Sequence, residues 1–259
     1  AAAPAHASAS TSASAASSPP PGCVVTPAEE AAHMETWTVS ALCSTLSLEN
    51  VLLLLNGALL ERQMVVLCPN LGELSAVVLS VTALLRPLQW QSLMLPVLPQ
   101  SMISFLDAPV PFIVGVQHKT AEVRSRSSHL SRVNVYKDEV KLHGSNPALP
   151  RLKELTTVLR PLHAAVADAM SGSSRHPIAE PTAAARRASR AFLIAWREYL
   201  GALVNNLRAY AITDMNGREK MSILLKDSFV DSFSRSDRPF MKAFCETQMF
   251  GEYADEQLK

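Results

Sequence analysis

Asp227 and Asp231 stand four residues apart, a spacing that sets two carboxylates on one helical turn, where one could act as acid and the other as base. On a surface helix such a pair is ordinarily solvated, so it is a weak case for catalysis. The seven histidines, His6, His33, His118, His129, His143, His163 and His176, are scattered without HExxH or any other metal-ligand spacing. No metal or other cofactor is expected. The nine glycines never fall two or five apart, which rules out both the GxGxxG turn and the P-loop cradle of backbone amides. A GxSxG nucleophile elbow is absent too. Arg186-Arg187-Ala188-Ser189 has the spacing of a basic-directed kinase site at a helix start, where a phosphate would be stabilised. Chemistry by covalent catalysis is therefore not what these residues advertise.

The elements that would position any site are legible in the apolar pattern. The chain has 259 residues, 48% hydrophobic and 18% charged, enough for a substantial core. Its first residue is Ala rather than Met, as expected of a fragment. The first twenty residues are Ala, Ser, Pro and Thr apart from His6, so residues 1–36 read as a disordered linker, with folding to begin near Trp37. Ser47 is a candidate N-cap for a helix to about Leu60, followed by a buried strand Met64 to Cys68 and a helix from about Gly72 to Leu85. An apolar run at Leu93 to Leu98, a short helix at Ser101 to Leu106 and a strand at Phe112 to Val116 come next. This alternation predicts an α/β fold, a mostly parallel central sheet covered by helices on both faces.

Residues Gln117 to Arg132 read as a basic loop, Val133 to His143 as a strand or hairpin, and Arg151 to Met170 as a helix, closing a core of 37–170. A flexible linker at 171–187 precedes a helical segment 188–259. In it Phe192, Trp196, Tyr199, Leu203, Leu207 and Tyr210 form one apolar stripe on a helix to Ala211, which Asn216-Gly217 closes. Further helices are expected through Ile223, Leu224 and Phe229 and through Phe240, Phe244 and Phe250.

Charge is segregated although the formal net is only +1. Residues 1–61 hold five acids and no Lys or Arg, whereas Lys119 to Arg190 holds thirteen Lys and Arg against six Asp and Glu. The basic stretch suits an acidic partner or an anionic membrane surface. Nucleic acid is not expected, because aromatics are not interleaved with the basic residues. Cys23, Cys43, Cys68 and Cys245 form no CxxC pair and suit a reducing, cytoplasmic compartment. No apolar run approaches the ~20 residues of a membrane span, and Arg62 is the first basic residue, so neither a secretory nor a transit signal is read.

A resemblance makes the reading more definite. Ser47-Leu48-Glu49-Asn50, Leu59-Leu60-Glu61-Arg62-Gln63, Leu84-Leu85-Arg86-Pro87, Gln89-Trp90-Gln91, Leu95-Pro96-Val97-Leu98-Pro99 and Leu106-Asp107-Ala108-Pro109-Val110-Pro111-Phe112-Ile113-Val114-Gly115 resemble the central segment of a DENN domain, in order and spacing. Leu224-Leu225-Lys226-Asp227-Ser228-Phe229, Asp237-Arg238-Pro239-Phe240 and Glu246-Thr247-Gln248-Met249-Phe250 are similar to the family's downstream segment. The Ala/Ser-rich head and the Gln-Trp-Gln-Ser motif resemble plant-type members. The resemblance implies a guanine-nucleotide exchange factor for Rab-type small GTPases in vesicle traffic, working by surface complementarity with an upstream longin-like lobe of the parent protein. The resemblance implies that exchange needs that lobe. Alternatives are a scaffold that binds a GTPase or a longin-containing protein, or a GTPase-activating partner using Arg62, Arg86 or Arg124. Where members of that family often carry several acids after the Val114-Gly115 strand, Val133 to Val140 here keeps only Asp138 and Glu139. Among the motif residues, prolines, Gly115 and Trp90 are expected to shape the fold. The polar members Glu61, Arg62, Gln91 and Asp107 are the expected partner contacts, at a peripheral site on trafficking membranes.

Overall fold

A computed structural model describes residues 26–171, 180–214 and 221–259. Residues 1–25 of the expected linker 1–36, the Ser171–Ser174 break beyond Ser171 and the Asn216-Gly217 turn lie outside the described residues. Folding begins earlier than Trp37. Helix α1 (Pro27–Thr45) starts behind a capping box in which Thr26 Oγ1 accepts from the Glu29 N–H and the Glu29 carboxylate accepts from the Thr26 N–H. With Pro27 at the first helical position, Thr-Pro-Ala-Glu is itself a start signal, and it corrects the boundary at residue 36.

Helix α2 (Leu48–Leu59) and helix α3 (Leu71–Leu85) flank strand β1 (Met64–Leu67), all four of whose residues are buried. Strands β2 (Leu93–Leu95), β3 (Phe112–Val116), β4 (Ser131–Asn134) and β5 (Glu139–Lys141) complete a sheet of order β2-β3-β1-β4-β5. The first four are mutually parallel, and β5 returns antiparallel to β4. Alternation along the strands sorts side chains to two faces. Met64, Val66, Ile113 and Val133 meet the helical layer, while Val65, Leu67, Phe112, Val114 and Val116 meet a thinner cover. That cover is a 3₁₀ segment, Gln100–Asp107, and the six-residue helix α4 (Ala121–Arg126). The α/β class with helices on both faces is as expected; the basic "loop" 117–132 instead holds α4 and the start of β4. Short runs of this kind are shaped by packing of single residues such as Val123, which periodicity does not register.

Gly115 explains how β3 accommodates the loop after β2. The Leu98 N–H donates to the Gly115 carbonyl at 2.7 Å, and a Cβ at Gly115 would lie 2.0 Å from the Pro96 carbonyl oxygen. Only a residue without a side chain permits that approach.

The last third packs on the same helical face. Helix α5 (Leu152–Ser171) and helix α6 (Ala183–Val204) lie beside α1, and Trp196 is fully buried with its Nε1–H donated to the Leu84 carbonyl at 2.6 Å. The stripe Phe192, Trp196, Tyr199, Leu203 and Leu207 is core. Helix α6 begins five residues before Ala188, behind the cap Thr182, and ends at Val204 rather than Ala211. Beyond it Leu207–Tyr210 is a 3₁₀ turn, and Ala211–Asp214 (β6) pairs antiparallel with Met221–Leu224 (β7). Ile223 and Leu224 therefore sit on a strand, not on the expected helix. Helices α7 (Lys226–Asp231), α8 (Arg238–Cys245) and α9 (Gln248–Leu258) follow; Phe229, Phe240, Phe244 and Phe250 are all buried in the main core.

Candidate functional site

The four expected contacts gather at one end of the sheet, where the parallel strands begin. Glu61 and Arg62 precede β1, Gln91 precedes β2, and Asp107 precedes β3. Glu61 and Arg62 share a depression of roughly 460 Å³ with Gln63, Val110, His129 and His143. Gln63 stitches its floor, donating through Nε2 to the carbonyls of Ala108 at 2.6 Å and Val110 at 3.1 Å. Asp107 and Gln91 stand apart from it. Asp107 is ion-paired with Arg126, and Gln91 lines a second depression of roughly 380 Å³ beside Gln89, Glu252 and Tyr253 on the side of α9.

Two of these residues have structural work that sequence reasoning missed. Glu61 adopts a left-handed backbone (φ 48°), and its two carboxylate oxygens accept the N–H groups of Gln248 at 2.9 Å and Met249 at 2.8 Å. It caps α9 from across the fold, as an acidic group at a helix start does. Arg62 donates through Nη2 to the Ser145 carbonyl, and its Nε is buried without a partner. No local signal in the sequence could have shown a cap supplied from so far along the chain.

The opposite end of the sheet, where strands finish, holds a crevice of roughly 350 Å³ between the loops after β1 and β3. Those loops leave toward α3 on one face and α4 on the other, the topology that opens a crevice in α/β sheets. The Gln117 side-chain amide bridges them, donating to the Pro69 carbonyl at 3.0 Å. Tyr136 stands 78% exposed at its rim. The Glu139 carboxyl is held below the usual range by a hydrogen bond and charge from Lys141, with Lys137 and Lys119 adding to the pull. Lys141 is the one in contact, its Nζ 2.6 Å from Glu139 Oε1. The Asp138 carboxylate is held in place, accepting from the Ser47 N–H and hydroxyl and from the Asn50 amide.

Asp231 pairs with Arg238 at 2.9 Å, leaving the Asp227/Asp231 spacing without a catalytic partner. Burial, then the neighbouring Glu73 side chain, pushes the Cys68 thiol up to about 12, and burial pushes Cys245 to about 12 as well. Such thiols are inert as nucleophiles. Among the described residues no three His, Cys, Asp or Glu side chains gather as a metal site would need, and no helix is long and apolar enough to cross a membrane. The kinase-site reading of Ser189 is corrected: Ser189 is wholly buried and its Oγ lies 2.7 Å from Ser40 Oγ. Helix α6 starts before it, which turns the hydroxyl inward.

Among the described residues, the α/β fold carries two shaped strand-end surfaces. A family model for the DENN (AEX-3) domain matches residues 4–138, and one for the dDENN domain matches residues 225–259. The chain belongs to the DENN family. It is 31% identical over 150 residues to Elicitor of plant defense protein 1 of Verticillium dahliae, covering 58% of this chain and 13% of that protein. It is 37% identical over 86 residues to human DENN domain-containing protein 2D, covering 33% of this chain and 18% of that one. To human DENN domain-containing protein 1A it is 24% identical over 210 residues, covering 81% of this chain and 19% of the relative. The aligned segments thus span 13% to 19% of the length of these curated relatives.

Proposed function

We propose that this chain is the DENN lobe of a guanine-nucleotide exchange factor for Rab-type small GTPases, promoting GDP release in vesicle traffic. The observation that carries the reading is the pair of DENN-family segments on one α/β body, with Glu61 of the first capping α9 of the second. Exchange asks for a surface that binds the emptied GTPase better than the loaded one, and needs neither nucleophile nor general base. The strand-start end, with Arg62, Gln91 and Asp107, is the surface assigned to the GTPase. The longin-like lobe that the family implies upstream would complete the grip. An activating role through arginine is less well supported, since Arg86 pairs with Glu35 at 2.6 Å and Arg62 is bonded to Ser145.

The same reading places the protein in the cytoplasm, peripheral on trafficking membranes, with Lys119, Lys137 and Lys141 favouring an anionic surface. The deciding experiment is release of labelled GDP from a panel of Rab GTPases, using the protein extended through its longin-like lobe. Accelerated release from at least one Rab is expected. A complete panel without acceleration would overturn the reading, and binding without release would point to the scaffold instead.

A further inference from the structure

Three side chains that carry or can take up positive charge line the strand-start depression, each from a separate segment. Arg62 comes from the turn before β1, His129 from the 3₁₀ turn Ser127–His129 ahead of β4, and His143 from the segment after β5. Both histidines are exposed. Among the described residues none of the three has an ion-pair partner. Arg62 is nevertheless fixed, because its Nη2 donates to the Ser145 carbonyl.

The lining holds one acid, Glu61, whose two oxygens are turned onto the N–H groups of Gln248 and Met249 at 2.9 Å and 2.8 Å. The flanking charges outside the lining are paired. Asp107, two residues before Pro109, pairs with Arg126, and Lys141, two before His143, pairs with Glu139 at 2.6 Å. The imidazoles therefore set the charge of the lining. With both neutral, Arg62 and Glu61 cancel; with both protonated, the lining carries a net +2. Imidazole is the side chain that makes this change between pH 5 and 8.

We infer that this depression binds a phosphate monoester, with Arg62 supplying a permanent charge and His129 and His143 supplying donors that gain charge as pH falls. A monoester presents three terminal oxygens to three donor side chains, whereas a carboxylate presents two. Its second ionisation lies near pH 6, so it stays largely dianionic over much of the range in which imidazoles charge. At roughly 460 Å³ the depression also has room for the organic group of an ester. Val110, with 46% of its surface exposed between Pro109 and Pro111, offers that group an apolar strip.

Titration of the chain with glycerol 3-phosphate, followed through its imidazole resonances by NMR between pH 8 and 6.5, tests the assignment, with inorganic sulfate as an anion of constant charge. The His129 and His143 resonances are expected to move together with one affinity, and that affinity to rise at least about fivefold from pH 8 to pH 6.5 for both anions. His163, whose Nε2 lies 2.9 Å from the Leu46 carbonyl away from the depression, is the internal control and should stay in place. His129→Gln and His143→Gln, at exposed positions, should each weaken binding about fivefold and flatten its pH dependence, and Arg62→Gln should weaken it at every pH. Resonances unmoved by glycerol phosphate, an affinity indifferent to pH, equal displacement of His163, or full affinity in both histidine variants would each overturn the site. Tighter binding of sulfate than of the ester would overturn the monoester assignment. If a variant fails to fold, the unaltered chain decides through the resonances, the pH dependence and the choice of anion. The Rab panel decides nucleotide exchange separately, since exchange does not call for a phosphate at Arg62.

Discussion

The carboxylate of Glu61 accepts the backbone N–H of Met249 at 2.8 Å, across 188 positions of sequence. With the bond to Gln248, this cap joins the turn before β1 to the first residues of α9, and so joins the two family segments. Removing it with Glu61→Ala should cost about 1–2 kcal/mol, the range for a lost helix cap, and Glu61→Gln should cost less. Urea unfolding followed by circular dichroism measures both; an unchanged midpoint for the alanine variant would show the cap to be idle.

Asp107 behaves differently. Its bond to Arg126 is a surface ion pair, with side-chain exposures of 51% and 32%. Asp107→Ala should therefore leave stability within about 1 kcal/mol. This variant can separate contact from fold: weakened GTPase binding with an unshifted melt would make Asp107 part of the interface, and undiminished binding would remove it.

Asp138 offers a pH signature. Burial raises its pKa, but the Ser47 N–H, the Asn50 amide and the Ser47 hydroxyl outweigh that and hold it below the usual value. A carboxyl depressed on folding stabilises the native state above its unfolded pKa of about 3.9, and that contribution is lost as pH falls through the lower folded value. Asp138→Asn keeps a residue tolerant of the left-handed backbone seen there (φ 46°) while losing the charge. Its deficit at pH 7, about 1 kcal/mol for an exposed site, should shrink toward pH 3. Parallel denaturant titrations at the two pH values give the answer, and a deficit that grows in acid would reverse the assignment.

Ser189 should resist basic-directed kinases in the folded chain, because its hydroxyl is enclosed against Ser40. Ser189→Ala should cost about 1 kcal/mol, and adding Ser40→Ala should cost less than that again, since the second change removes an orphaned partner. Stoichiometric phosphorylation of the native protein by mass spectrometry would contradict the burial.

Gly115→Ala should be the most damaging of these changes, at least about 3 kcal/mol, since the new methyl would lie 2.0 Å from the Pro96 oxygen and 2.9 Å from Leu74 Cγ. A soluble variant with an unaltered melting temperature would mean that the loop after β2 can retreat.

The apolar runs made β1, β3 and α3 legible because each is buried along its whole length or one full face, and burial is what periodicity records. The stripe from Phe192 to Leu203 was readable for the same reason. The elements that escaped are short or locally decided. α4 is six residues with one buried side chain, and β7 carries Ile223 at 59% exposure on a two-stranded hairpin. At the surface, residue types indicated polar positions but not their partners. Glu61 and Asp138 owe their roles to backbone groups far along the chain, and only the fold brings these together.

Both borders of the main sheet are three residues long. One, Leu93–Leu95, runs straight into Pro96; the other, Glu139–Lys141, carries a charge at each end. Brevity, an imino acid and flanking charge are the devices that prevent a foreign strand from zipping onto exposed backbone. A partner meeting the main sheet would then do so through side chains and contours, and self-templated polymerisation along that sheet is denied a starting rail.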